Sequence, residues 1–310
     1  PDCLPLPTLP ERTASLPRIL NMKQFQPYLY SFLLMLLFFR QTSTHAQALP
    51  LDEQKVTKQF PQVSLVFNRI FNSGGLDSFY HRLQQLKKTK KGKVTIVHIG
   101  DSHLQSDHLS SVVRKGLQDF FGSAGGQHQT SKTFSGFLNG ADSTGLAYHT
   151  FGINGARFET YIGSASIWQQ VASLQPDLFI ISLGTNDAQA NVITDNDLHR
   201  QVGQMIDKLK SVAPKCAVLI STTADSFKNG MPNRELWNLN LSLFSYCTSN
   251  SIPVWDMYRV TNGFGSAWNW YRKGLMNGDG IHFSATAYKI MGQLLYNALA
   301  KGYNAYVSAY

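Results

Sequence analysis

The chain has 310 residues, of which 43% are hydrophobic and 15% are charged, and its formal net charge is +9. This composition excludes a disordered or collagen-like protein, and the length suits one large α/β domain or two small ones. Five positive charges stand in one run at residues 87–93 (KKTKKGK) without a nucleic-acid recognition motif, so the charge does not indicate nucleic-acid binding. The run is either a solvated surface segment or a patch that attracts an anionic envelope polymer.

The N-terminal region carries a targeting pattern. An apolar run at residues 32–39 (FLLMLLFF) follows Met22-Lys23 and precedes Ala46-Gln47-Ala48. A charged start, a short apolar stretch and an A-x-A site predict a secretory signal peptide at residues 22–48, cleaved near Ala48. An uncleaved anchor is the alternative, although the run is short for a membrane-spanning helix. Residues 1–21 are interpreted as an upstream extension that is not native, and the mature protein is expected to be secreted or periplasmic.

Residues 49–93 are predicted to form a helical N-terminal extension. Gly74-Gly75 divides it into two helices, and the second begins at Asp77 or Ser78, both of which are good helix caps. The segment either packs on the following domain or acts as a spacer to the cell envelope.

From residue 94 onward, short buried strands alternate with amphipathic helices. Residues 122–147, rich in Gly, Ser and Thr, are interpreted as a long loop. Strands are predicted at 94–99, 148–153, 178–183, 217–221 and 252–255, and helices at 106–121, 161–174, 196–212, 234–250 and 284–301. This alternation predicts a domain at residues 94–305 built as a three-layer α/β/α sandwich around a mostly parallel five-stranded sheet. Ligands of such sheets bind beyond the carboxyl ends of the strands.

A serine stands directly after the first predicted strand. Ser102 follows Gly100-Asp101 at the turn into a helix, so its hydroxyl is expected at the sheet edge. Its N–H would lie at a helix N-terminus, where it can donate to a developing oxyanion. Serine is also a favoured N-cap, and helix capping is the alternative role for Ser102.

The segment at residues 279–282 (DGIH) places a carboxylate three residues before an imidazole. A serine hydroxyl needs a base that accepts its proton, and the base needs a group that holds its tautomer. We therefore predict Ser102, His282 and Asp279 as the catalytic residues. A surface aspartate beside a packed histidine is the alternative interpretation of this spacing.

Two further motifs follow predicted strands, at residues 152–156 (GINGA) and 184–187 (GTND). The side-chain amide of Asn186 is a suitable oxyanion donor, and Gly155 lets the backbone approach a substrate with its N–H. Both residue types are also common in ordinary turns. The predicted oxyanion hole consists of the N–H groups of Ser102 and Gly155 and the side chain of Asn186.

Together, the four motifs IGDSH, GINGA, GTND and DGIHF resemble those of the SGNH (GDSL-like) hydrolase superfamily, over roughly residues 94–300. The resemblance implies a flavodoxin-like sandwich with a serine nucleophile. The family's functional positions fall on Ser102, Gly155, Asn186, Asp279 and His282. His103 stands where leucine is usual, and this variant resembles the peptidoglycan O-acetylesterases. Those esterases often carry a carbohydrate-binding insertion between the first two motifs, for which the gap from Ser102 to Gly155 is too short.

The resemblance implies a serine esterase that needs no metal or organic cofactor and acts on an acylated carbohydrate or another ester. No long apolar lid segment is present, which favours a short acyl group such as acetyl. Three alternatives remain open. They are a glycan O-acetyltransferase with the same catalytic residues, a lipid esterase or lysophospholipase, and a non-catalytic glycan-binding protein.

Five side chains are candidates for substrate contact. The aromatic ones either stack on sugar rings or pack the loop before residue 279 onto the core. The others either contact substrate hydroxyls or lie on a helix surface. The candidates are His103, Gln105, Trp268, Trp270 and Tyr271.

Two residue sets are candidates for other chemistry. His98, His103 and His108 are not interpreted as a metal site, because strand and helix spacing scatters them and no cysteine or carboxylate set completes it. Cys216 and Cys247 either form a disulfide, which export would permit, or remain as two buried free thiols.

Overall fold

The central sheet has eight strands among the described residues of this computed structural model, which are residues 47–130, 134–137, 144–191 and 193–310. These residues belong to one compact unit. The predicted upstream extension and nearly all of the predicted signal peptide lie outside the described residues. The strands of the sheet are β1 (Ile70–Phe71), β2 (Lys93–Gly100), β3 (Gly126–Thr130), β4 (Phe134–Phe137), β5 (Gly145–Gly152), β6 (Leu178–Ser182), β7 (Ala217–Ser221) and β10 (Val254–Trp255).

The spatial order of the sheet is β1-β10-β7-β6-β2-β5-β3-β4. The six strands from β10 to β3 are parallel to one another. The edge strand β1 is antiparallel to β10, and the edge strand β4 is antiparallel to β3. A separate two-stranded hairpin is formed by β8 (Phe227–Lys228) and β9 (Met231–Pro232). The mostly parallel sheet predicted from the sequence is confirmed, with more strands than the five expected.

Helices cover both faces of the sheet. They are α1 (Glu53–Gln59), α2 (Asp77–Thr89), α3 (Ser102–Gln105), α4 (His108–Phe121), α5 (Phe158–Ile162), α6 (Ala165–Leu174), α7 (Thr185–Ala190), α8 (Asp195–Val212), α9 (Arg234–Ser249), α10 (Met257–Val260), α11 (Ala267–Arg272) and α12 (Ala285–Ala309). A 3₁₀ turn spans Ser73–Leu76. Within the described part of the chain, no helix has the length and apolar character needed to cross a membrane.

Strand β2 explains the layered core. Seven of its eight residues are buried, as expected for a central strand covered on both faces. Val94 and Ile96 pack into one hydrophobic cluster with α2, α4 and α12, whereas Val97 and Ile99 pack into another with α5, α6, α8 and α9. The alternation of side chains along a strand thus builds two cores, one on each side of the sheet.

Residues 49–93 differ from the predicted helical extension. Only α1, the 3₁₀ turn and α2 are helical, and β1 pairs with β10 at one edge of the sheet. The main chain of Leu49 exchanges two hydrogen bonds with the Asn304 side chain, of 2.7 and 2.9 Å. Phe60 stacks on Trp270 with ring centroids 3.8 Å apart. The segment is therefore part of the same unit as residues 94–310.

The interpretation of residues 122–147 as a long loop is wrong for much of the segment, because it contains β3, β4 and the start of β5. The sequence of β3 (GQHQT) has no alternating apolar side chains, so its hydropathy gives no strand signal.

Cys216 and Cys247 are both buried and free. Of the two alternatives for this pair, a disulfide or two thiols, the structure has the two thiols.

Candidate active site

The first three motifs follow three neighbouring strands, so they lie together at the carboxyl ends of the strands. Gly100, at the end of β2, lies in register with Gly152 of β5 and with Ser182 of β6. A β-carbon at Gly152 would come within 2.7 Å of the Gln105 backbone, so only glycine lets α3 lie so close to β5. The segments after these strands therefore begin side by side.

The side chain of Ser102 is free of the capping role that the sequence left open. Asp101 caps α3 instead, because its Oδ1 accepts a hydrogen bond of 2.9 Å from the N–H of His103. Ser102 occupies the first turn of the helix and is half-buried. Its Oγ lies 2.7 Å from Nε2 of His282.

His282 is held by the loop that precedes α12. Its Nδ1 lies 2.7 Å from Oδ2 of Asp279, while the other carboxylate oxygen accepts the N–H groups of Ile281 and His282, each at 2.9 Å. The N–H of Asn277 donates to the His282 carbonyl at 2.7 Å, which closes the loop. The structure thus brings Ser102, His282 and Asp279 into one hydrogen-bonded line.

The electrostatics of Asp279 favour its ionised form. Burial raises the pKa of its carboxyl group, but the hydrogen bonds from the Ile281 and His282 N–H groups and from the His282 ring outweigh burial and hold the pKa below its usual range. An ionised Asp279 accepts a hydrogen bond from a protonated Nδ1 of His282. The unprotonated Nε2 of the same ring can then accept a hydrogen bond from the Ser102 hydroxyl.

The segments that bear the predicted oxyanion donors are joined by hydrogen bonds of Asn186. Gly155 adopts φ +72°, a conformation that favours glycine, in the turn closed by the Ala156 N–H on the Ile153 carbonyl. In the described part of the chain, the N–H groups of Ser102 and Gly155 make no hydrogen bond. Nδ2 of Asn186 donates to the Ala156 carbonyl at 3.0 Å and to Asp101 Oδ2 at 3.3 Å, which ties the third motif to the first two.

The candidate substrate-binding residues separate into two groups. Trp270 is fully buried, stacks on Phe60 and contacts the Phe283 ring, so the expectation that it stacks on a sugar is wrong and the packing alternative holds. Trp268 and Tyr271 remain 39% and 44% exposed, and both rings contact Phe227. His103 and Gln105 are half-buried beside Ser102 on α3.

The β8–β9 hairpin is a part of the site region that the sequence analysis missed. The Phe227 N–H donates to the Gly280 carbonyl at 2.7 Å, which fixes the hairpin to the loop bearing Asp279 and His282. Gln189 of α7 donates to the Ser226 hydroxyl and the Phe227 carbonyl. The available signal was Asn229-Gly230, the preferred two-residue hairpin turn, in which both residues have positive φ.

His98 belongs to a buried hydrogen-bonded cluster. His98 is buried, and its ring nitrogens contact the Tyr148 hydroxyl and the Ser182 hydroxyl. Among the residues that the structure describes, no three His, Cys, Asp or Glu side chains are grouped to hold a metal ion.

Comparisons with known proteins place this geometry in a family. The model of the GDSL-like lipase/acylhydrolase family matches residues 117–290, which include Gly155, Asn186, Asp279 and His282 and begin after Ser102. A search of the curated proteins finds no match.

One solved structure shows the same fold. The chain is similar to a peptidoglycan O-acetylesterase, with a TM-score of 0.64 and 18% sequence identity over 74% of this chain and 96% of that one. A lipase/acylhydrolase from Enterococcus faecalis gives a TM-score of 0.48 and 18% identity over 67% of this chain and 96% of that one. An acetyl xylan esterase gives 0.48 and 15% over 66% of this chain and all of that one.

The fold and the motifs define a hydrolase of ester bonds in the SGNH/GDSL-like superfamily. Since the family model covers more than half of its residues, the chain belongs to the GDSL-like lipase/acylhydrolase family.

Proposed function

We propose that the chain is an exported serine esterase that removes short acyl groups, above all acetyl, from carbohydrate. The observation that carries the proposal is the line from Asp279 through His282 to Ser102, with both contacts at 2.7 Å. Nucleophile, base and orienting carboxylate in this arrangement are the requirements of acyl transfer through a covalent intermediate.

The mechanism follows from the positions of these atoms. His282 Nε2 accepts the Ser102 proton as Oγ attacks the ester carbonyl, and Asp279 stabilises the charged imidazole. The oxygen of the tetrahedral intermediate accepts from the N–H groups of Ser102 and Gly155, and Asn186 becomes the third donor when its amide exchanges the 3.3 Å bond to Asp101 Oδ2 for the oxyanion. His282 then protonates the departing alcohol. A water molecule, deprotonated by His282, releases the acyl group from Ser102 as a carboxylic acid.

One observation supports an ester of a sugar. The exposed rings of Trp268 and Tyr271 flank Phe227, which contacts the catalytic loop, and such rings can stack on sugars.

The cellular location is part of the proposal. A signal peptide at residues 22–48 would deliver residues 49–310 to the periplasm or the exterior. The lysine run at residues 87–93 is exposed except at Lys87, so it is open to anionic envelope polymer.

The experiment that tests the proposal measures ester hydrolysis by the chain from residue 49 onward, as acetate release from the acetylated polymers and as 4-nitrophenol release from the nitrophenyl esters. The substrates are 4-nitrophenyl acetate, acetylated xylan, O-acetylated peptidoglycan and, as a long-chain ester, 4-nitrophenyl palmitate. Ser102→Ala is expected to lower kcat on 4-nitrophenyl acetate by at least about 10⁴-fold, whereas Ser106→Ala on the same turn is the matched control with unchanged activity. Wild-type rates retained by Ser102→Ala would refute the nucleophile.

Product analysis separates the alternative functions. Acetylated glycan formed from an acetyl donor would assign a transferase, and a rate that rises with acyl length would assign a lipid esterase. A protein that binds glycan saturably but releases no acetate would be a binding protein.

A further inference from the structure

His103, which stands in place of the usual leucine, lies against the catalytic base. Its ring centroid is 5.3 Å from that of His282, with 34° between the planes. The rings of Phe283 and Tyr288 complete its surroundings, at 6.1 and 5.9 Å. The His103 side chain is therefore confined by three aromatic neighbours beside the nucleophile.

The hydrogen bonds of Tyr288 favour one tautomer of His103. The Phe283 N–H donates to the Tyr288 hydroxyl oxygen at 3.3 Å, and the same hydroxyl lies 2.9 Å from His103 Nδ1. Burial raises the pKa of Tyr288, so its hydroxyl keeps its hydrogen. In the described part of the chain, His103 Nδ1 is the one acceptor within reach of that hydrogen. This arrangement favours Nδ1 as the acceptor, with the hydrogen of the neutral imidazole on Nε2.

The Nε2 side of His103 is available to a ligand. This nitrogen has no hydrogen-bond partner in the described part of the chain, and it is not among the polar atoms that are closed off from solvent. Burial lowers the pKa of His103, which favours the neutral ring with a single N–H. A leucine at this position would offer no donor at all.

We propose that His103 is a specificity-determining residue whose Nε2–H donates a hydrogen bond to an oxygen of the substrate's alcohol part, selecting oxygen-rich sugar esters over alkyl esters. Tyr288 is the positioning residue that holds the donor tautomer. The proposal rests on the esterase function proposed above and names the side of the substrate that His103 recognises. It explains why a polar ring is held in a fixed orientation beside Ser102.

The first test compares two acetate esters that differ in the alcohol, methyl 6-O-acetyl-glucoside and ethyl acetate. His103→Leu is expected to lower kcat/KM on the sugar ester by about tenfold, mostly through KM, and to change ethyl acetate hydrolysis by less than about threefold. His103→Gln, whose amide nitrogen can replace Nε2, is expected to retain the sugar-ester rate. His103→Asn, whose amide nitrogen corresponds to Nδ1, is expected to behave like His103→Leu.

The second test determines the tautomer directly. Two-bond ¹H–¹⁵N spectra of the wild-type protein are expected to show His103 protonated at Nε2. Tyr288→Phe should convert this signal to a tautomer mixture and raise KM for the sugar ester, while Tyr303→Phe on the same helix should change neither. Tyr303 has a buried hydroxyl without a partner in the described chain, which makes it a matched control.

The outcomes distinguish this proposal from the one on which it rests. If the wild-type protein releases acetate but His103→Leu lowers both esters equally, or if the spectra show hydrogen on Nδ1, the role of His103 is refuted. If the wild-type protein releases no acetate from either ester or from 4-nitrophenyl acetate, the esterase function itself fails.

Discussion

At the scale of single residues, Asp279 shows how a carboxylate can orient an imidazole without deep burial. Its side chain is 47% exposed, yet it is bonded to one ring nitrogen and two backbone N–H groups. The short DGIH loop supplies all three donors from residues 281 and 282. Its contribution therefore depends on geometry and ionisation rather than on a low local dielectric constant.

Replacing Asp279 should accordingly disrupt the tautomer of His282. We expect Asp279→Asn to lower kcat on 4-nitrophenyl acetate by roughly 10⁴-fold, because the amide can present N–H to Nδ1 and thereby favour hydrogen on Nε2. Asp207→Asn, on the exposed face of α8, is the control with unchanged kcat. A loss below about tenfold would mean that another group holds the imidazole.

Asp225 is one residue from which a pH dependence of stability follows. It is buried, its Oδ2 accepts from the Ala267 N–H at 3.1 Å, and its Oδ1 has no partner among the described residues. Burial raises the pKa of Asp225 to about 6, against opposing backbone hydrogen bonds. Because the folded-state pKa exceeds the unfolded value of about 3.9, its contribution to stability is lost as pH rises from about 4 to 6.

Asp225→Asn cannot ionise, so it should gain stability relative to the wild type as pH rises. We expect the difference in unfolding free energy between variant and wild type to increase by about 2 kcal/mol from pH 4 to pH 7. Urea unfolding of both proteins at several pH values measures it. A difference that is constant with pH would contradict the raised pKa.

At the scale of elements, the β8–β9 hairpin and the catalytic loop support each other. Gly280 adopts φ +68°, and a β-carbon there would lie 2.6 Å from the Phe227 ring. The close approach lets the Phe227 N–H reach the Gly280 carbonyl. The position of His282 therefore depends on a hairpin more than fifty residues earlier in the chain.

Gly280→Ala should displace one of these two elements. The added methyl group clashes with Phe227 and strains the positive φ, so we expect kcat to fall by about 10- to 100-fold. Gly278→Ala is the matched control, since a β-carbon there meets no atom of the described chain within 4 Å and φ is not positive. Equal activity of the two variants, measured on 4-nitrophenyl acetate, would show that the loop tolerates the shift.

The sequence predicted the strands that consist of apolar runs and missed the strands that are polar or very short. Apolar runs revealed β2, β6 and β7, whereas the polar β3 and the two-residue β1 carry no such pattern. The four motifs located the strand ends of the site, and their catalytic roles stay predictions. The sequence left open whether Trp270 packs on the core or contacts substrate, because its partner Phe60 lies 210 residues away in the predicted N-terminal extension.

At the scale of the whole molecule, the N-terminal segment completes one of the two cores. Phe60 of this segment covers Trp270, and Trp270 in turn contacts Phe283, next to His282. Lys301 of α12 bonds the Asn68 carbonyl at 3.1 Å and so joins the same segment to the last helix. The fold thus needs residues on both sides of the predicted boundary at residue 94.

Removal of the Phe60 ring should therefore destabilise the whole fold. We expect Phe60→Ala to lower the free energy of unfolding by roughly 3–5 kcal/mol, because it leaves a cavity beside Trp270. Phe264→Ala, at a surface ring that is 46% exposed, should cost less than about 1 kcal/mol. Denaturant unfolding measures both, and a small loss at Phe60 would show that the N-terminal segment is dispensable for stability.

The order of the strands divides the proposed catalytic residues into two groups. The proposed nucleophile and oxyanion donors follow the three adjacent strands β2, β5 and β6, so their backbones share one hydrogen-bonded platform. His282 and Asp279 lie on a separate loop. This loop is held by the β8–β9 hairpin and by the isolated β-bridge between Met276 and Phe283. A displacement of this loop would move His282 away from Ser102 while the proposed oxyanion donors kept their places. Catalytic turnover can therefore be lost while the global fold stays intact.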